Sequence, residues 1–307
     1  MSKHSGIPKG LLQAVDRTLA LLDAHAKSHP SVLSVAEPLP SLLEQCQQLC
    51  AQITEQTAEP IRTIHHFACT GGTLICKQLA VMPNTQVLSE LDPLSKQHPH
   101  PFAPSDLILQ LRNGLRDVED SLLVDVFLAG LAFIYEDAGK YGTRLVLRDH
   151  THSHFCDDQD NVTRLTFLQI IAARFPTCTV VTVRHPLDSY LSLRANGWIR
   201  FKPKTLDEYA RRYLRFLAAY AQQDIFKYED FIEDPATVMS QICAALQLPY
   251  NPYFLDLASA AHLSGDSGRS GSRVRERKRR PVPGEVAQEQ ETSAAYRTLC
   301  VQLGYVP

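Results

Sequence analysis

The sequence predicts an α/β fold, a parallel sheet flanked by helices in three layers. Three observations predict it. Short uncharged runs alternate with longer stretches of helical periodicity, and strands separated by helices pair in parallel through right-handed crossovers. One run, ending CTVVTVR at Arg184, is β-branched and free of charge up to that arginine, as suits a strand buried on both faces. Two strand-to-helix corners follow strands of this kind: TGGT at 70–73, and RHP at 184–186 with Pro186 placed for a first helical turn. Ligands of open α/β sheets bind at such corners, beyond the carboxyl ends of the strands.

The totals agree with a globular chain. Its 307 residues suffice for one large α/β domain or two small ones, and 44% hydrophobic with 21% charged residues is ordinary. A net charge of −2 argues against a general affinity for nucleic acid. The opening MSKHSGIPKGLLQAVDR holds no apolar core for a signal peptide. No run approaches the roughly 18 to 20 apolar residues of a membrane span. Eight cysteines without a CxxC pair read as reduced thiols, which predicts a cytoplasmic protein.

Taken in order, residues 1–60 form a predicted helical extension and 61–307 the α/β domain. In the extension, Leu11, Leu12, Val15, Leu19 and Leu22 repeat at helical spacing within 8–28, as do Leu42, Leu43, Cys46, Leu49 and Ile53 within 40–57. Cys46 and Cys50 lie four apart, but no nearby ligand completes a metal set, so they read as core thiols. TIHHFAC at 63–69 is the first strand of the domain, and SELDPLSKQHPHPFAPS (89–105) is a proline-rich loop of the kind that contacts substrates. Helices follow near 104–116 and 119–139, the second ended by Gly142. A strand from Arg144 to Leu147 opens into His150, His152 and His154. Further helices are expected at 161–174, 205–221, 235–246 and 285–302, with a strand at 224–230. The stretch from His262 to Pro283 is rich in Gly and Ser, then basic from Arg269 to Arg280.

The chemistry concentrates at the two corners. Gly71 and Gly72 let the backbone approach an anion, while Thr70 and Thr73 add hydroxyls at a positive helix end. The loop lacks the lysine of GxxxxGK[ST], which disfavours a nucleoside triphosphate kinase; Lys77, a turn on, reads as a solvated or snorkelling side chain. At the second corner Arg184 offers a bidentate fork beside a helix N-terminus, with Ser189, Tyr190 and Ser192 near it. The HxHxH pattern would present alternate side chains on one face to a metal if it were extended, yet no further ligand motif accompanies it.

Together these pieces resemble a sulfotransferase that uses 3′-phosphoadenosine 5′-phosphosulfate. The resemblance covers 61 to about 283 and rests on four motifs in order: TGGT at 70–73, VRHPLDSYLS around Arg184 and Ser192, FKYEDFIEDP at 226–235, and LSGDSGR at 263–269. It implies a P-loop-like three-layer sandwich. Thr70, Gly71, Gly72 and Thr73 would hold the 5′ end of the donor, Arg184 and Ser192 the 3′-phosphate, and Gly268 and Arg269 a loop folded over the nucleotide. It implies no metal. The acceptor implied is a small molecule or glycan bearing a hydroxyl, or an amine. Arg148-Asp149-His150 resembles the Lys-x-His strand end whose His is the base, and a different spacing selects His152. Glu229 and Asp230 would cap a helix and brace the loop. Cys69 departs from the pattern, standing where the family has Lys or Arg. Either Arg148 supplies that charge, or the chain is a weak or inactive nucleotide-binding protein on the same scaffold; Arg148 is also open to a structural role, paired with Asp149 or Glu90. Arg273 to Arg280 fit either the donor's phosphates or an acidic glycan, and Trp198 either lines the acceptor site or anchors the next helix.

Overall fold

The computed structural model describes residues 17–21, 23–24, 27, 41–45, 58–96, 103–158, 163–265, 274–275 and 278–307. The chain divides into two compact units, Met1–Thr57 and Ala58–Pro307. Within the first, 17–21, 23–24, 27 and 42–45 are helical. Ser41 opens the latter piece with reciprocal bonds, its Oγ accepting from Glu44 N at 3.2 Å and its N donating to the Glu44 carboxylate at 2.7 Å. The remainder of the two expected helices, with Cys46 and Cys50, lies outside the described residues.

The second unit is built on five parallel strands: β1 (Ile61–His66), β2 (Thr85–Leu91), β3 (Arg144–Asp149), β4 (Thr177–Val183) and β5 (Asp224–Lys227), in the order β2-β3-β1-β4-β5. The chain leaves β1 towards β2 and leaves β4 towards β5, so its direction reverses between the adjacent strands β1 and β4. That reversal opens the crevice at their carboxyl ends. Helix α1 (Gly72–Leu79) follows β1, α2 (Leu107–Arg112) and α3 (Asp120–Lys140) precede β3, and α4 (Thr151–Phe155) and α5 (Phe167–Ala172) separate β3 from β4. After β4 come α6 (Pro186–Ala195) and α7 (Leu206–Ala219); after β5, α8 (Tyr228–Glu233) and α9 (Pro235–Ala245).

Alternation along the central strands divides the core. Ile64, Val146 and Val180 face one side with Leu74, Ile75, Met239 and Ile242, while Val181 and Val183 face the other with Tyr190, Tyr209, Tyr213 and Phe216. A third cluster joins Ile61 and Leu147 to Leu123 and Leu131 of α3 and Phe167 and Ile171 of α5. All six residues of β1 are buried, which explains why its sequence carries no alternation.

Four elements differ from the sequence reading, each for a local reason. β2 (TQVLSEL) was hidden because an edge strand pairs on one side only and here carries half-buried polar residues. β5 stops at Lys227 instead of 230, since Glu229 and Asp230 sit in the first turn of α8, where acids favour a helix start. α5 begins late, at a capping box between Thr166 and Gln169. The expected C-terminal helix is two, α11 (Gly284–Thr292) and α12 (Ala294–Leu303), after the short α10 (Phe254–Leu257). The break falls at Ser293, whose Oγ accepts from Tyr296 N at 3.0 Å and donates to Asp207 at 2.6 Å.

Candidate active site

The first corner is a tight cradle. Cys69 and Gly71 both take the left-handed conformation, with φ of 64° and 90°, and Thr70 Oγ1 folds back to donate to Phe67 O at 2.8 Å. Gly71 caps α1 with no side-chain bond, leaving the first N–H groups of the helix directed outward. Both glycines are required sterically. A Cβ on Gly71 would lie 2.4 Å from the Tyr228 ring, and one on Gly72 would lie 2.3 Å from the His66 ring.

The second corner is locked at several points. Arg184 N donates to Tyr213 OH at 3.2 Å, His185 N to Glu229 at 3.0 Å, and Tyr305 OH to the other Glu229 oxygen at 2.6 Å. Glu229 thus braces the loop. The Arg184 guanidinium lies 4.8 Å over the Tyr228 ring, and its buried Nε has no hydrogen-bond partner among the described residues. Arg184 and Ser192 open onto one cavity of about 250 Å³ with Asp188, Lys278, Arg279 and Arg280. Arg279 reaches into it from the C-terminal segment, held at Asp188 by bonds of 2.8 and 3.4 Å. Four cations and one carboxylate therefore surround the space, so an anion entering it meets an uncompensated positive field. Helix α7 joins the corners, for Tyr213 contacts Arg184 while Tyr209 OH, one turn away, donates to Ala68 O at 3.2 Å.

A third group lies at the end of β3. Arg148 is buried and donates to His66 Nε2 at 3.0 Å and to Ser89 Oγ at 3.0 Å, and it pairs with Glu90 at 2.6 Å. The second Glu90 oxygen stands 3.6 Å from His150 Nε2, so one carboxylate bridges the guanidinium and the imidazole. Glu90 adopts a φ of 61°, uncommon for a residue with a side chain. Gly265 presses on it so closely that a Cβ there would lie 2.2 Å from Glu90 Cγ, and Ser89 and Ser264 exchange two hydrogen bonds of 2.8 and 2.7 Å. His150 is fixed by its backbone, N donating to Leu91 O at 3.0 Å and O accepting from Ser153 Oγ at 2.7 Å, while its ring stays a quarter exposed.

The histidines separate. His150 precedes α4, whereas His152 and His154 are carried on it and so do not alternate on an extended face. His152 Nε2 donates to Trp198 O at 3.1 Å, and His154 stacks on Phe155. Among the described residues no group of three or more His, Cys, Asp or Glu is arranged to hold a metal. Burial first, then the charge of Arg148, holds the His66 pKa well below the ordinary imidazole value. Burial and then His150 push His152 down from 6.5 to about 4. A histidine depressed in the folded state binds fewer protons than the unfolded chain between the two values. Stability is therefore expected to fall as pH drops from 6.5 towards 4. Melting temperature against pH should show this, and His152→Gln should flatten the slope; an unchanged slope would remove His152 as its source.

Sequence reasoning placed Arg148, His150 and His152 close together, and set Arg184 with Ser192. Gly268 and Arg269 lie outside the described residues. It named Glu90 only as a structural partner of Arg148, and it passed over His66, Tyr209, Tyr213 and Tyr228, because buried aromatic rings leave no spacing signal. Asp188, in the first turn of α6, was passed over as a neighbour of the cavity.

The fold is an α/β sheet with two strand-to-helix corners beside its central strands, and a model of the Sulfotransferase family matches residues 18–252. The chain belongs to that family. The match begins within the first unit, well before β1. Among solved structures, the sulfotransferase domain from the curacin biosynthetic pathway is 17% identical, with 82% of this chain and 99% of that one covered at a TM-score of 0.50, which shows the shared fold. The sulfotransferase domain of a Synechococcus olefin synthase (17% identity, 82% and 98% covered, TM-score 0.48) and a mouse sulfotransferase complexed with PAP (12%, 82% and 92%, 0.42) are also similar. No curated protein matches the chain.

Proposed function

We propose that this chain transfers a sulfuryl group from 3′-phosphoadenosine 5′-phosphosulfate to an acceptor hydroxyl, or an amine, without a metal. The observation that carries the reading is the cavity at β4. It joins Arg184 and Ser192 to Lys278, Arg279 and Arg280, and the buried Nε of Arg184 lacks a partner in it. Those five residues suit a 3′-phosphate. Thr70, Gly71, Gly72 and Thr73, with the uncapped start of α1, suit the 5′ end, and Gly268 and Arg269 would join the tail's contacts. The donor supplies the activated group. Catalysis by the chain is then positioning and charge stabilisation. His150, reachable and held beside Glu90, takes the acceptor proton. His152, its Nε2 occupied at Trp198 O, shapes the wall. Arg148 stands where it can stabilise charge near the first corner through His66. Residues 1–60 are proposed as a helical adjunct to the α/β unit, and the protein as cytoplasmic. No described helix is long and apolar enough to cross a membrane.

A second reading has a specific observation behind it. Arg148 is already engaged by Glu90, Ser89 and His66, and Cys69 brings no charge, so a nucleotide-binding protein without turnover also fits. Thermal stabilisation by adenosine 3′,5′-bisphosphate, set against ATP, tests the shared donor site. A ligand at 100 times its Kd adds about 2.7 kcal/mol. The bisphosphate is expected to raise the melting temperature where ATP does not; equal effects, or none, would end the donor assignment. Consumption of the sulfated donor then separates enzyme from binder.

A further inference from the structure

Next to the histidines, Trp198-Ile199-Arg200-Phe201-Lys202-Pro203-Lys204 connect α6 to α7, bending at 201–203. Ile199 and Phe201 are buried, while Trp198, Arg200, Lys202 and Lys204 are exposed. Three anchors hold it in place. His152 Nε2 donates to Trp198 O at 3.1 Å, the Arg212 guanidinium covers the Phe201 ring at 4.9 Å, and Tyr190 OH donates to Lys204 O at 2.8 Å. Arg212 also donates to Phe155 O and Asp157 O at 3.1 and 2.8 Å, so one side chain fixes this strap and the end of α4 to each other. The exposed edge therefore keeps a set position beside His150 and His152, whose rings lie 6.3 Å apart. Trp198 is 6.4 Å from the His152 ring and 39% exposed.

The charge of this edge has one sign. Between Asp188 and Asp207 the sequence holds Arg194, Arg200, Lys202 and Lys204 and no acid. Two carboxylates face the edge from the end of α4: Asp158 lies 4.0 Å from Lys202, and Asp157 is near enough to act on His152. Arg200 is near enough to His152 to lower its pKa. A row of exposed cations that ends on an indole, beside a reachable imidazole, presents a ring face and an anion contact together.

Resting on the sulfotransferase reading, we propose that the strap from Trp198 to Lys204 selects an anionic acceptor: a hydroxylated carboxylic acid whose ring or sugar face lies on Trp198 and whose carboxylate meets Arg200 and Lys202. The test compares two acid and amide pairs as acceptors, 4-hydroxyphenylacetate with its amide and glucuronate with its amide, in wild type and in R200A/K202A. Bisphosphate affinity is measured alongside. The acids should exceed their amides about tenfold in kcat/KM, as expected of two rim cations, and the double variant should lose that preference at unchanged bisphosphate affinity. Amides served equally well, a preference that survives in the variant, or no acid accepted by protein that consumes the sulfated donor would each overturn the proposal. Failure to bind the bisphosphate, or binding without any consumption of the sulfated donor, overturns the parent reading instead, and this one with it.

Discussion

Replacing His150 with Gln is expected to lower sulfuryl transfer by about 10² to 10⁴, the range for loss of a general base, with bisphosphate affinity unchanged. Gln keeps a polar side chain of similar reach, and the backbone bonds that hold position 150 remain available, so a folded variant is expected. Single-turnover measurement with labelled donor separates the chemical step from binding. His152→Gln is the matched comparison, because the Nε2 of His152 already donates to Trp198 O. Loss on the second substitution and not the first would move the base to His152. Loss on neither would leave Glu90, which bridges Arg148 and His150, as the remaining proton acceptor.

Arg184→Ala should weaken adenosine 3′,5′-bisphosphate by about one to two powers of ten, given roughly 1.5 to 3 kcal/mol for a charge-assisted bond. The loss has a specific geometric source. The guanidinium is pinned between the Tyr228 ring and the cavity, with its Nε unsatisfied among the described residues, so its place is set before any anion arrives. Arg184→Lys should recover little, since a point charge on a flexible stem cannot reproduce the planar fork. Calorimetric titration reads both. An unchanged Kd in Arg184→Ala would take the arginine out of the site and leave Lys278 to Arg280 as the anion contacts.

How much of this was legible in the sequence depended on whether a residue's role left a local pattern. TGGT and the RHP corner did, because a tight turn needs glycine and a helix start tolerates proline, and the structure places each corner at the end of a central strand. The parallel pairing of the strands followed from their alternation with helices, though their order did not, and β2 was missed because its edge position allowed polar residues where a buried run was sought. A pairing of Arg148 with Glu90 was open from the sequence, but the extension of that bridge to His150 stayed hidden. It depends on a left-handed backbone at Glu90 and on Gly265, 175 residues further on, pressing against it. The C-terminal cations read as one basic run, yet Asp188 singles out Arg279 for the cavity, a pairing between residues 91 apart.

The two tyrosines of α7 give the site a built-in ruler. Tyr209 grips the loop after β1 and Tyr213 the one after β4, both wholly buried and one turn apart on a helix of fourteen residues. The two loops are thus tied to one helix as well as to the paired strands they follow, and on the proposed reading the span between the anion positions is set by the fold and not by whatever enters. A molecule with negative groups at that separation gains its second contact as an intramolecular step, at high effective concentration. One with a single group, or with two at the wrong separation, forfeits that gain. Discrimination among nucleotides then becomes a matter of length as much as of charge.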